Sequence, residues 1–250
     1  MVNEPDSLAT KVALVTGGAR RIGAQIVRCL HGEGMNIALH FHRSADDARR
    51  LSAELNALRP DSVHTFAADL RNLAAIRDLA AAVSGRFTRM DALVNNASSF
   101  FETPLASLDD ADYQELLDTN LKAPLFLSQA AAQHLARSKG CIVNIADIYA
   151  SKPRTAYSAY SAAKAGLVML TRSLALELAP DIRVNAIAPG AILWPGSGSG
   201  EHEQSSLLAE IPMRRTGDPV DVAQAVLFLV RDADYITGQV IRVDGGRAIG

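Results

Sequence analysis

Short runs of β-branched and apolar residues alternate along this chain with longer stretches in which apolar positions recur at helical spacing. The runs Val12–Thr16, Asn36–Phe41, Val63–Ala67, Ala92–Asn95, Cys141–Ile145, Arg183–Ala188 and Val240–Val243 predict strands. Between them, Ala45–Leu58, Leu73–Phe87, Asp109–Ala136, Ala156–Leu178 and Pro219–Val230 predict helices, and a further helix is expected from about Ile22. Strands that alternate with helices form a parallel sheet covered on both faces, because each crossover carries a helix back over the sheet. Seven strands in 250 residues therefore predict an α/β fold: a single-domain, doubly wound parallel sheet of Rossmann type with helices on both faces.

One segment breaks the alternation. Trp194–Gly200 (WPGSGSG) is rich in Gly and Ser and follows the sixth strand, where the carboxyl end of such a sheet faces its ligand. Ala191–Arg215 is expected to form a mobile substrate loop or lid. Charge narrows the partners. Lys+Arg number 25 against Asp+Glu 27, a net charge of -2 that argues against a nucleic-acid partner held by bulk charge. Cys29 and Cys141 lie in apolar runs and read as buried free thiols of a reducing compartment. Met1–Lys11 has no apolar signal-peptide region, and no apolar run reaches the roughly 18 residues of a membrane span, so a cytoplasmic protein without a membrane partner is expected.

The first strand runs into Thr16-Gly17-Gly18-Ala19-Arg20-Arg21-Ile22-Gly23 and then a helix. That is the strand–turn–helix setting in which helix N-terminal amides hold a pyrophosphate, with Gly17, Ile22 and Gly23 at the turn. Arg21 could reach a phosphate or an anionic substrate edge, or be a surface residue at the helix start. The second strand ends in His40-Phe41-His42-Arg43-Ser44, without the Asp or Glu that would bind a ribose 2′-hydroxyl. Arg43, with Ser44 and His42 beside it, suits a 2′-phosphate instead, which points to NADPH rather than NADH. Tyr160-Ser161-Ala162-Ala163-Lys164 places a phenol and an ammonium on one helix face, where the cation favours phenolate and makes Tyr160 a better proton donor. Asp147 stands thirteen residues before that tyrosine. Burial would raise its pKa and let it act as a proton donor; alternatively it caps the loop at Ile148–Ala150. No metal site is expected.

The glycine-rich turn, Asn95-Asn96-Ala97, Tyr160/Lys164 and Pro189-Gly190 together resemble the short-chain dehydrogenase/reductase family over nearly the whole chain. Two departures stand out: Arg21 occupies the middle glycine of the turn, and Asp147 occupies the position of the family's usual serine. Both occur in the pteridine reductase branch, as do His42-Arg43-Ser44 and the segment Asn96-Ala97-Ser98-Ser99-Phe100-Phe101-Glu102-Thr103-Pro104-Leu105. The resemblance implies an NADPH-dependent enzyme that passes hydride to a C=N carbon of a pterin, with Asp147 and Tyr160 supplying the proton. It implies that Lys164 holds the nicotinamide ribose and keeps Tyr160 at low pKa, and that Asn120 bends its helix and holds a relay water. It places Asp69 at the adenine, with Leu70 beside it, although Asp69 could equally cap the following helix. It places Asn96, Ala97, Ser98, Pro189 and Gly190 along the cofactor, and Arg21 and Ser98 on both pterin and phosphate. Phe100 would stack on the pterin; Phe101 reads as core, Tyr157 as a helix-start or pocket-edge aromatic, and Trp194 as a wall of the side-chain pocket. The resemblance also implies a homotetramer built on Asp109–Ala136 and Ala156–Leu178. The competing readings are a carbonyl or 3-oxoacyl reductase of the same fold, and an NADPH-binding regulator without turnover.

Overall fold

A computed structural model describes residues 8–192 and 201–249. Seven strands form one parallel sheet in the order β3-β2-β1-β4-β5-β6-β7. They are β1 (Val12–Val15), β2 (Asn36–Phe41), β3 (Val63–Ala67), β4 (Ala92–Asn95), β5 (Cys141–Ile145), β6 (Arg183–Pro189) and β7 (Val240–Val243). The register is continuous across the sheet centre, with Ala13 opposite Ala92 and Ala92 opposite Cys141. β1, β4 and β5 are buried at every position. Both their faces are covered, so their sequences are unbroken apolar runs, whereas edge strand β3 alternates.

The helices α1 (Arg21–Gly32), α2 (Ala45–Leu58) and α8 (Pro219–Arg231) pack on one face of the sheet. On the other lie α3 (Leu73–Phe87), α5 (Ala123–Ser138) and α6 (Ser158–Glu177). Their ends are set locally. Asn72 caps α3 by accepting from the Ala74 and Ala75 amides at 2.9 and 3.4 Å, so the capping role open to Asp69 falls to its neighbour. Asp218 and Asp221 form a reciprocal capping box at α8.

The helix expected over Asp109–Ala136 runs without a break from Asp110 to Ser138, as α4 (Asp110–Leu117), a π turn over Asp118–Lys122 and α5. Two expectations from the sequence need correction. Ala191–Arg215 is not all loop, because Glu201–Ala209 forms helix α7. The first strand ends at Val15, one residue early, because the Gly-rich turn begins at Thr16. Trp194 lies outside the described residues. Among the described residues no helix is long and apolar enough to cross a membrane, and no group of side chains could hold a metal ion.

Candidate active site

The carboxyl ends of β1, β4, β5 and β6 open on a cleft of about 1090 Å³. At its inner end the Gly-rich turn is fixed from three sides. Thr16 Oγ1 accepts from the Asn96 and Ala97 amides at 2.9 and 3.0 Å, while Asn96 Nδ2 donates to the Thr16 and Gly17 carbonyls at 2.9 and 3.1 Å. Gly17 has φ 60°, and a Cβ on Gly23 would lie 2.2 Å from the Gly17 carbonyl, so neither position accepts a side chain. Arg21 has φ 50°, the left-handed backbone a glycine would take there. No side chain caps α1 and its first turn holds no acid. Its free amides, with Ile22 and Gly23 beside them, therefore suit the pyrophosphate of a dinucleotide.

His40 is a positioning residue that the sequence reading missed. Its Nδ1 accepts from the Gly17 amide at 3.2 Å, which obliges Nε2 to carry the proton and donate to the Ala68 carbonyl at 3.1 Å. Burial pushes its pKa down from 6.5 to about 4. The unfolded chain therefore takes up the proton first as pH falls. This contribution is complete above 6.5 and is lost toward about 4, an effect of about 3 kcal/mol. Wild type is expected to lose that much more stability than His40→Asn in urea unfolding between about pH 7 and 4. Parallel pH profiles for the two proteins would show that His40 is not held neutral.

The residues expected at the adenosine end lie outside the cleft proper. Arg43 is exposed, and His42 stands 3.8 Å from Asp69. Asp69 is gripped by Arg71, at 2.7 Å between Oδ2 and the guanidinium, which holds the carboxyl far below its usual range. Leu70 buries its side chain in the core, leaving only its backbone to meet a cofactor. Ser44 begins α2 without a side-chain cap bond. Arg20, which the sequence reading passed over, lines the cleft beside Arg21 and leans toward Asp47 at 3.6 Å.

Deeper in the cleft the structure brings Asp147, Tyr160 and Lys164 together. Tyr160 donates to Asp147 Oδ2 at 2.8 Å. Asp147 Oδ1 accepts from the Tyr149 amide at 2.8 Å and so starts the short helix Ile148–Ala150. The cap is therefore present in the structure, while the other oxygen faces the phenol. Lys164 donates to the Ile145 carbonyl at 2.8 Å and lies 5.7 Å from the centre of the Tyr160 ring.

The electrostatics reverse one expectation. Tyr160 was expected at low pKa beside Lys164; instead its burial and the Asp147 carboxyl push it well above 10.0, while a hydrogen bond with Ser98 pulls the other way. Burial raises Asp147 too, against the Tyr149 amide, the Tyr160 hydroxyl and the Lys164 charge. Burial lowers Lys164 to about 8. A proton held between Asp147 and Tyr160 is the arrangement these shifts favour.

Asn120 sits fully buried in the π turn, where the extra backbone residue turns its amide toward Ser99 O and Leu116 O, both at 2.9 Å. Ser98 donates to its Oδ1 at 2.6 Å, linking this helix to the cleft. Phe100 is half exposed to the cleft, stacked on Tyr157 at 4.8 Å and 16° and edge-on to Tyr160 at 4.8 Å. Phe101 packs instead into the small cluster around Leu116. Pro189 and Gly190 close β6 at the cleft floor, with the Gly190 amide donating to Val243 at 3.0 Å.

Comparison with known proteins fits this geometry. A family model described as enoyl-(acyl carrier protein) reductase matches residues 17–248. The chain belongs to the short-chain dehydrogenase/reductase family. It is 39% identical to pteridine reductase 1 of Leishmania tarentolae, over 95% of this chain and 96% of that one. It is 35% identical to a 3-oxoacyl-[acyl-carrier-protein] reductase of Staphylococcus aureus, over 95% and 98%. A blue fluorescent protein from a metagenomic library, solved in complex with NADPH, superposes with a TM-score of 0.91 at 33% identity, covering 97% of this chain and all of that one. As a short-chain dehydrogenase/reductase, the protein is an NAD(P)H-dependent oxidoreductase.

The outer wall of this reductase's cleft carries residues that the sequence reading did not single out. Tyr149, Arg154 and Arg247 meet there, with the Tyr149 hydroxyl 3.5 Å from a guanidinium nitrogen of each arginine. Arg247 is paired with Glu210 at 2.8 Å, which ties the chain's last turn to the residue after α7.

Proposed function

We propose that the protein is an NADPH-dependent pteridine reductase, acting in the cytoplasm as a homotetramer, that reduces a C=N bond of a dihydropterin. The observation that carries this reading is the Asp147–Tyr160 pair: a carboxyl hydrogen-bonded to the phenol at 2.8 Å, where the family's usual serine would stand. A carboxylate would repel a carbonyl oxygen gaining negative charge, whereas a protonated carboxyl can give its proton to a ring nitrogen. The likeness to pteridine reductase 1 supports the same reading. The likeness to 3-oxoacyl reductases favours a second, carbonyl reduction with Tyr160 as donor and Asp147 as a cap only.

The cofactor, when bound, supplies the hydride; Gly17, Arg21, Ile22, Gly23, Asn96, Ala97 and Ser98 would hold it at the turn, Pro189 and Gly190 at the cleft floor, and Lys164 at the nicotinamide ribose. Asp69, the Leu70 backbone and Arg43 with Ser44 and His42 would serve the adenosine end, where no acid at the end of β2 opposes a 2′-phosphate. Asp147 protonates the nitrogen next to the carbon that takes the hydride. The carboxylate left behind is stabilised by the Tyr149 amide, the Tyr160 hydroxyl and the charge on Lys164. Asn120 positions Ser98 and the relay side of the site. Arg21 and Ser98 would steady the pterin edge while Phe100 stacks its ring. Exposed apolar Met169 and Leu176 on α6 support assembly through that helix.

The stacking role gives a test. With dihydrobiopterin, Phe100→Ala is expected to raise KM about tenfold while kcat falls much less. An unchanged KM would remove the flat ring from this position.

A further inference from the structure

Outside the catalytic pair, the described residues of the cleft include charged groups of both signs. Lys152, Arg154 and Arg247 line its outer part together with Glu102 and Glu210. Glu210 is taken by Arg247 at 2.8 and 3.1 Å, and Glu102 accepts from the Tyr157 hydroxyl at 3.3 Å. Lys152 donates to the Arg247 carbonyl at 2.8 Å. Arg154 has no carboxylate partner among the described residues. Its guanidinium stands 5.0 Å over the Tyr157 ring, and Tyr157 stacks on Phe100 at 4.8 Å. Phe100, Tyr157 and Arg154 therefore form a continuous row, from the aromatic face beside the catalytic pair to a cation at the cleft mouth.

We infer that this row is a subsite for a negatively charged group on the substrate's side chain, and that Arg154 is its specificity-determining residue. The inference rests on the pterin reading and adds to it the class of pterin. A flexible substituent on a ring lying against Phe100 reaches the exposed rim where Arg154 stands, and among the described residues there Arg154 is a guanidinium without a carboxylate partner, suited to charge-assisted bonding. Arg247 is already engaged by Glu210 and serves as the fixed wall behind it. A carboxylate and a phosphate ester share the chemistry such a site selects.

The experiment compares three substrates with NADPH: dihydrobiopterin, whose side chain is neutral, dihydroneopterin monophosphate and dihydrofolate. Wild type is expected to favour at least one anionic substrate by about tenfold in kcat/KM, and added salt should shrink that preference. Arg154→Gln should abolish it through KM alone, leaving kcat and the neutral substrate unchanged, because a contact far from the reacting atoms binds ground and transition states alike. Whether the phosphate or the carboxylate gains identifies the source of the charge. Equal kcat/KM on all three in wild type, or an equal loss on all three in the variant, overturns the subsite while leaving the pterin reading intact. No turnover on any of them, the neutral one included, overturns the pterin reading and the subsite with it.

Discussion

Asp147→Ser is expected to lower kcat/KM on a dihydropterin by about a thousandfold, the middle of the range for a lost general acid. Serine is chosen because it separates the two roles of this side chain. A serine hydroxyl can still cap the short helix at Ile148–Ala150, since Ser is as good a cap as Asp. The thermal midpoint should therefore change little, while the group that gives up a proton is gone. Asp147 suits proton donation because burial raises its pKa, and because three partners stabilise the charge once the proton has left. Any carbonyl reductase activity should hold or rise in the same variant, because the repelling carboxylate has been replaced by a hydroxyl donor. Steady-state kinetics on both substrate classes, with a melting curve for each protein, check the prediction. Retained dihydropterin turnover would leave Asp147 as a cap and nothing more.

Tyr160→Phe is expected to cost about a hundredfold in the same parameter. The phenol lies in a buried site and donates to Asp147 at 2.8 Å, so its loss removes one of the carboxylate's stabilising bonds at the moment of proton transfer. The pH profile gives a sharper readout than the rate. The Tyr160 hydrogen bond lowers the Asp147 pKa, so removing it lets that pKa rise further. Reduction needs the carboxyl protonated, so kcat/KM falls as pH rises past its pKa. The alkaline limb in Tyr160→Phe should accordingly move to higher pH than in wild type. A limb that moves to lower pH, or stays in place, would contradict the direction of this coupling.

Much of this framework is legible in the sequence, for identifiable reasons. β4 and β5 are unbroken apolar runs because both their faces are buried, so their ends could be read to the residue. The Gly17–Gly23 turn is legible because a Cβ on Gly23 would lie 2.2 Å from the Gly17 carbonyl oxygen, so glycine is required there. The π turn at Asn120 was not, since one extra residue in a helix leaves no period to detect; only the misplaced Asn hinted at it. α7 was hidden because it follows a Gly/Ser run and opens on polar residues, Glu201-His202-Glu203-Gln204. The Tyr160 pKa went the wrong way because spacing along one helix shows Lys164 but not the burial, nor the Asp147 oxygen brought in from the end of β5. Arg247 meets Tyr149 from 98 positions away, a separation across which no local pattern operates.

The central claim is that the carboxyl at Asp147 makes this short-chain reductase act on a ring C=N bond rather than a ketone. The most direct measurement is NADPH oxidation followed by absorbance, with wild-type protein offered dihydrobiopterin and, separately, a 3-oxoacyl thioester, each repeated with NADH. Turnover of the dihydropterin is expected, with strong preference for NADPH and little or no turnover of the thioester. Brisk reduction of the thioester with silence on the dihydropterin would contradict it, leaving the fold and the site geometry but not the substrate.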